Sequence, residues 1–199
     1  NGRLLRVALN GGAVTPICAV EDARGGTWSE DGTIVFAPRP DGPLYRVSAS
    51  GGEPSQATRL EAGAGEITHR WPQFLPGGKT FLFTAHGRGA AQEGRVIVQS
   101  AGGHTLVQEG AIFGRYAPSG HLLYVNGGKL FAAAFDPNRL EVSGRAVPVA
   151  DDMATALISG SAQYAFSDTG VLAYRRARNP RRVLQWMDTS GQMQPMRNV

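Results

Sequence analysis

Few side chains in this 199-residue chain have the type and spacing that chemistry requires. The histidines are His69, His86, His104 and His121. None pairs with another at i, i+2 or i, i+4, so no strand or helix face presents two imidazoles to a metal. Neither H-E-x-x-H nor an EF-hand ladder of carboxylates occurs. Cys18 is the only cysteine, which excludes an internal disulfide and a thiolate zinc site. No metal and no cofactor is therefore expected. There is no G-x-S-x-G nucleophile motif, and Gly160-Ser161 and Ser143-Gly144 read as turns, so no catalytic residue is expected in this chain. Gly63-Ala64-Gly65 and Gly87-Arg88-Gly89 lack the G-K-S/T and following helix of a phosphate loop and read as connections. Asp31 and Asp168 stand beside turn glycines, where carboxylates bond local backbone N–H groups.

What remains is binding chemistry. His69 and Arg70, then Gly114 and Arg115, begin two segments expected to line a central channel. Two arginines there would suit an acidic peptide or a small anion, or would bond backbone carbonyls. His86 and Arg88 belong to Ala85 to Gly94, the longest polar, Gly-rich stretch and the candidate recognition loop. Arg175, Arg176, Arg178, Arg181 and Arg182 could meet an anionic partner, but as a charge run they read as a solvated loop between two strands. The net charge is +4, and the other basic residues are scattered, so no nucleic-acid partner is expected. No apolar run approaches the ~18 residues of a membrane helix, so this segment itself is expected to make no membrane contact.

The elements that must position these residues announce themselves as a repeat. Hydrophobic residues make up 42% and charged residues 18%, which is globular. Four segments share one pattern: TWSEDGTIVF from Thr27, PQFLPGGKTFLF from Pro72, RYAPSGHLLYV from Arg115 and YAFSDTGVLAY from Tyr164. Their turn glycines, Gly32, Gly78, Gly120 and Gly170, stand 46, 42 and 50 residues apart. Four residues before each glycine is an aromatic: Trp28, Phe74, Tyr116 and Phe166. Four or five residues after it comes Phe36, Phe83, Tyr124 or Tyr174. Each segment reads as a β-hairpin with a glycine turn. A further strand recurs at Leu4 to Val7, Leu44 to Val47, Arg95 to Val98 and Leu184 to Met187, each with a glycine turn after it. Lys129 to Phe135 takes its place in the fourth unit, with Asp136, Pro137 and Asn138 turning the chain by other chemistry. Weaker strands follow, such as Ala13 to Ile17 and Ala146 to Val149. Asp151 to Ser161 reads as a linking loop.

Each unit is thus four antiparallel strands in about 40–50 residues, the size of a propeller blade. Side chains alternate along a strand, so Ile34 and Phe36 face one way and Val35 the other, and Phe81 and Phe83 oppose Leu82. Such a sheet buries both faces only by stacking on a copy. The aromatics before the turns are expected to wedge between blades. The fold class is all-β: a β-propeller of four-stranded antiparallel blades, incomplete here, with about four and a half blades of an expected six. The expected division is 1–24 as the outer half of a blade, 25–63, 64–111 and 112–160 as blades, and 161–199 as a last, incomplete one. The start at Asn1, in what reads as mid-element, leads to the expectation of a fragment.

The repeat resembles the TolB-type, WD-repeat-like propeller repeat. Ser29-Glu30-Asp31-Gly32, then Leu44-Tyr45-Arg46-Val47, then Gly51-Gly52-Glu53 carry the likeness. More narrowly, RYAPSGHLLYV, KLFAAAFDPNRLEVSGRAVPV and QYAFSDTGVLAY are similar to the C-terminal propeller of bacterial eukaryotic-like serine/threonine kinases. The kinase motifs themselves are absent, so no catalytic residue carries over. The resemblance implies a non-catalytic sensing or docking domain with a protein or peptide partner. It also implies a membrane-anchored parent and an extracytoplasmic or periplasmic location. The alternatives are the gating propeller of a prolyl-oligopeptidase-like hydrolase and a TolB-like periplasmic scaffold. Flanking sequence separates the three.

Overall fold

A computed structural model of the chain describes residues 2–88, 94–156, 158–177, 185–187, 190 and 192–195. Its first hairpin pairs β1 (Arg3–Arg6) with β2 (Thr15–Ala19). Three four-stranded antiparallel sheets follow. The first holds β3 (Gly26–Trp28), β4 (Thr33–Phe36), β5 (Tyr45–Ser48) and β6 (Ser55–Gln56) in chain order. The second holds β7 (Glu66–Phe74), β8 (Phe81–Gly87), β9 (Arg95–Ser100) and β10 (Gly103–Glu109). The third holds β11 (Ile112–Ala117), β12 (His121–Asn126), β13 (Lys129–Asp136) and β14 (Glu141–Ala150). Three short hairpins complete the described chain: β15 (Thr155–Ala156) with β16 (Ser161–Ala162), β17 (Tyr164–Phe166) with β18 (Leu172–Tyr174), and β19 (Gln185–Met187) with β20 (Met193–Pro195). This is the blade pattern of a β-propeller, incomplete in this chain.

The inner hairpin of each unit turns in one way, and the sequence says why. The N–H groups of Gly32, Gly78, Gly120 and Gly170 donate to the carbonyls of Ser29, Leu75, Ala117 and Ser167 at 3.0–3.1 Å. All four glycines have positive φ, between 66° and 85°, a region that side chains with a Cβ resist. The third sheet's outer turn works by different chemistry, since the Asp136 carboxylate accepts from the N–H groups of Asn138 (2.8 Å) and Arg139 (3.2 Å). The stretch read as a linking loop is more structured than that. It holds β15, and Thr155 pairs with Ala162 and Ala156 with Ser161.

Alternation then builds the core. Ile34 and Phe36 join Ile17, Val47 and Ala49 against the first hairpin. Val35, between them in sequence, faces the other way and meets Phe81, Phe83, Ala85 and Ile97 of the second sheet. Leu82 and Val98 turn from that cluster to Leu122, Tyr124 and Phe135 of the third sheet. Leu123 and Val125 turn again, to Met153 and Ala162 beyond. Each of the four apolar clusters therefore lies between two consecutive units. Leu82, Phe83 and Leu122 have no exposed surface. Burial of each such side chain contributes roughly 1.5–3 kcal/mol.

The aromatics before the turns only partly follow the expectation of inter-blade wedges. Phe74, Tyr116 and Phe166 are half-buried and pack against three of these clusters. Trp28 does not wedge, being 56% exposed.

Truncations on opposite faces of one strand should damage different interfaces by similar amounts. Leu82→Ala should lower the unfolding free energy by about 2–5 kcal/mol and Phe83→Ala by about 3–5 kcal/mol. Leu106→Ala, at a half-exposed site, should cost no more than about 0.5 kcal/mol. Urea denaturation followed by circular dichroism measures all three.

Candidate functional site

The innermost strands β3, β7 and β11 share a distortion that sets the geometry of the axis. Three residues before each inner aromatic, the backbone is left-handed: Gly25 (φ 90°), Trp71 (φ 56°) and Phe113 (φ 53°). The ladder registers of β7 and β11 slip at these points, between Arg70 and Gln73 and between Ile112 and Arg115. Each slip is a β-bulge, which re-aims the side chains around it. A non-glycine residue held in this region costs of order 1–3 kcal/mol and needs neighbours to hold it. Trp71 has them. Its backbone N–H donates to Arg24 O (2.8 Å), its indole N–H donates to Ser159 O (2.9 Å), and its carbonyl accepts from Arg115 (2.7 Å). Gly25 makes room for the ring, since a Cβ there would lie 2.6 Å from the indole. Phe113 meets Trp71 edge-on at 5.4 Å, and Tyr164 meets Phe113 at the same distance. An aromatic chain thus crosses from unit to unit.

The two arginines singled out from the sequence lie here, though not at equivalent places. Arg70 is four residues before Phe74, while Arg115 is one residue before Tyr116. Arg70 donates to Ile158 O and Pro40 O, each at 2.8 Å. Arg115 donates to Trp71 O and, at 3.3 Å, to Pro72 O, and lies over the Phe113 ring at 4.4 Å. Both guanidiniums are thus engaged by backbone carbonyls. Burial lowers the pKa of each. Tyr164 is half-buried, like both arginines. Its hydroxyl donates to Phe113 O at 2.7 Å, and burial raises its pKa.

His69 does not face the axis. The ladder slips between Glu66 and Thr68, and His69 shares the face of Phe83, whose ring centre is 4.4 Å away. The imidazole is fully buried between two residues that sequence reasoning missed. Thr58 Oγ1 accepts from Leu44 N–H (2.9 Å), so its own proton points to His69 Nδ1 at 2.8 Å. His69 Nε2 then donates to Glu66 Oε2 at 2.9 Å. The Glu66 carboxylate also accepts from Glu61 N–H (2.7 Å) and Arg95 (3.0 Å). The order hydroxyl, imidazole, carboxylate is that of a nucleophilic triad, but Thr58 is 4% exposed and its oxygen holds a backbone amide. It is a clasp between the first and second sheets. Cys18 is no better a nucleophile: burial, then the charge of Glu53, raises its pKa.

His86 is buried as well, beside Gly160, where a Cβ would come within 2.7 Å of its Nε2. That nitrogen has no partner among the described residues. Burial, with the charge of Arg70, pushes its pKa down to about 4. Arg88 is exposed and borders a surface groove with Asp41 and Leu60. Of the candidate recognition loop, Ala85 to Gly87 are strand, and residues 89–93 lie outside the described residues. Among the described residues, no three His, Cys, Asp or Glu side chains converge as metal ligands.

Further along the same strands, toward the glycine turns, an open cavity of about 640 Å³ remains. Trp28, Phe74, Tyr116 and Phe166, the four equivalent aromatics, all line it. Its walls are tied together from unit to unit. Thr27 Oγ1 accepts from Phe74 N–H (3.0 Å), and the Gln73 amide both accepts from Tyr116 N–H (2.8 Å) and donates to Tyr116 O (3.0 Å).

No protein-family profile and no curated protein sequence matches the chain. Solved structures match in fold. The chain is similar to regucalcin, a calcium-binding protein of Agrobacterium tumefaciens, with a TM-score of 0.65 and 14% identity over 96% of this chain and 65% of that one. It is similar to TolB of Acinetobacter baumannii, with a TM-score of 0.61 and 17% identity over 97% of this chain and 48% of that one. It is also similar to virginiamycin B lyase of Staphylococcus aureus, with a TM-score of 0.56 and 13% identity over 98% of this chain and 62% of that one. The chain spans about half to two thirds of the length of these structures. The fold is that of the β-propellers.

The buried histidines set a pH dependence. Their pKa values are depressed in the folded chain, so the unfolded chain takes up protons first as pH falls. Stability should be full above about pH 6.5 and decline toward about pH 4. The His86 share of that loss should be on the order of 3 kcal/mol. His86→Leu should flatten the dependence over this window, as measured by urea denaturation at a series of pH values.

Proposed function

We propose that this chain is the non-catalytic binding propeller of a larger protein and takes a protein or peptide ligand. One observation carries the reading: an open cavity on the axis is walled by the same residue position of four successive units. A surface repeated this way offers contacts at regular spacing, which suits an extended chain. The groups elsewhere in the fold that could have activated a substrate are engaged in structure. Arg70, Arg115 and Tyr164 hold backbone carbonyls, and Thr58 holds a backbone amide. The parent as a membrane-anchored bacterial serine/threonine kinase, with this domain outside the cytoplasm, rests on the sequence resemblance of the last two units.

Panning the immobilised chain against a phage-displayed random 12-residue library tests the binding reading. Enrichment of a sequence consensus is expected. Recovery of no consensus above an uncoated surface would remove its support. Sequencing the gene upstream tests the parentage, where H-R-D and D-F-G motifs are expected.

A further inference from the structure

The aromatic cavity has a chemistry of its own. Its four aromatic walls come from strands β3, β7, β11 and β17. Among the described ring pairs, Phe74 meets Phe81 edge-to-face and Tyr116 meets Phe135 likewise, each within its own sheet, and none of the four pairs with another of the four. The rings therefore surround a space instead of filling it. An aromatic ring attracts a cation over its face, where its quadrupole is negative, so four rings around one space offer cation–π contacts to a guest.

The charges around the cavity point the same way. Glu30, Asp31 and Asp168 line it, against one cation, Lys79. The whole chain carries +4, so this mouth is acidic on a basic molecule. Asp31 is kept ionised by its turn, since its carboxylate accepts from the Ser29 hydroxyl and from Thr33 N–H (2.8 Å). Glu30, Asp168 and Lys79 are exposed, and so is Trp28. The aromatic walls and the acidic rim thus favour one kind of guest. An anionic guest would meet three carboxylates, and a purely apolar one would gain nothing from their charge.

We infer that the cavity walled by Trp28, Phe74, Tyr116 and Phe166 binds an alkylammonium group, with Glu30, Asp31 and Asp168 supplying the counter-charge. This rests on the binding reading above and specifies its ligand: a basic peptide whose lysine side chain enters the cavity. A free quaternary amine shares that chemistry and is the other source.

Isothermal titration of the chain with four probes decides between them: tetramethylammonium, and one peptide carrying at its centre lysine, acetyl-lysine or glutamate. The lysine peptide should bind, its acetylated and glutamate forms should not, and affinity should fall with added salt. Trp28→Ala should weaken lysine-peptide binding about two- to fivefold, since a cation–π contact at an exposed ring is worth about 0.5–1 kcal/mol. Trp28 is exposed, so this variant should keep the circular dichroism spectrum of the parent chain. Asp168→Asn should weaken binding severalfold and reduce its salt dependence. Binding of tetramethylammonium without the lysine peptide would keep the cation site and assign it to a small amine. Equal binding of the lysine and acetyl-lysine peptides, or no loss in Trp28→Ala, would overturn the inference. If the library yields a consensus that Trp28→Ala binds equally well, the binding reading stands and the cation site falls. If neither library nor probes bind, both fall.

Discussion

The whole arrangement depends on sheets that are apolar on both faces. Val35 and its neighbours Ile34 and Phe36 belong to different clusters, as do Leu82 and its neighbours Phe81 and Phe83. No single sheet can satisfy both sides, so every sheet needs a partner on each side. Stability in such a stack is close to a sum of unit and neighbour terms. The polar contacts follow the same rule. Thr27 reaches Phe74, Gln73 reaches Tyr116, and Thr58 reaches His69, each crossing one interface. Innermost strands have no hydrogen-bonded neighbour on the axial side, and these side chains supply partners for some of their backbone groups.

Most of this was legible in the residues because it is local. The four turn glycines are read from one spacing, and the strand alternation from three consecutive side chains. One failure comes from the β-bulges. A period-two reading assumes unbroken registers, and β7 slips twice, which carries His69 off the axis into the core. Arg70 and Arg115 stand at different offsets from their inner aromatics, four residues before Phe74 and one before Tyr116, so they were never equivalent. Other features are invisible for lack of any local signal. Nothing in the sequence pairs Thr58 with His69, or Trp71 with a carbonyl 88 residues away. The exposure of Trp28 is a matter of position. Its position is equivalent to that of Phe74, Tyr116 and Phe166, yet its ring remains exposed.

The histidines illustrate how function can be misread from composition. Imidazoles beside arginines suggest a site, yet His69 and His86 are neutral core residues held by burial. The residues that line the open cavity are instead aromatics that look like ordinary core. Phe74, Tyr116 and Phe166 pack against the clusters between sheets and also line an open space, which Trp28 lines without packing in this way. The same positions can therefore serve packing and line a cavity without any specialised loop.

The contacts between β7 and the 158–160 turn have a geometric consequence. Neighbour packing alone leaves the curvature of a stack soft, because small tilts add up from sheet to sheet. Arg70 and Trp71 reach past the third sheet to Ile158 and Ser159. They act as a bowstring drawn across the bend, holding the second sheet and the β15–β16 hairpin at a set distance. The radius of the arc is then fixed from within, and the spacing of the groups that look inward is fixed with it.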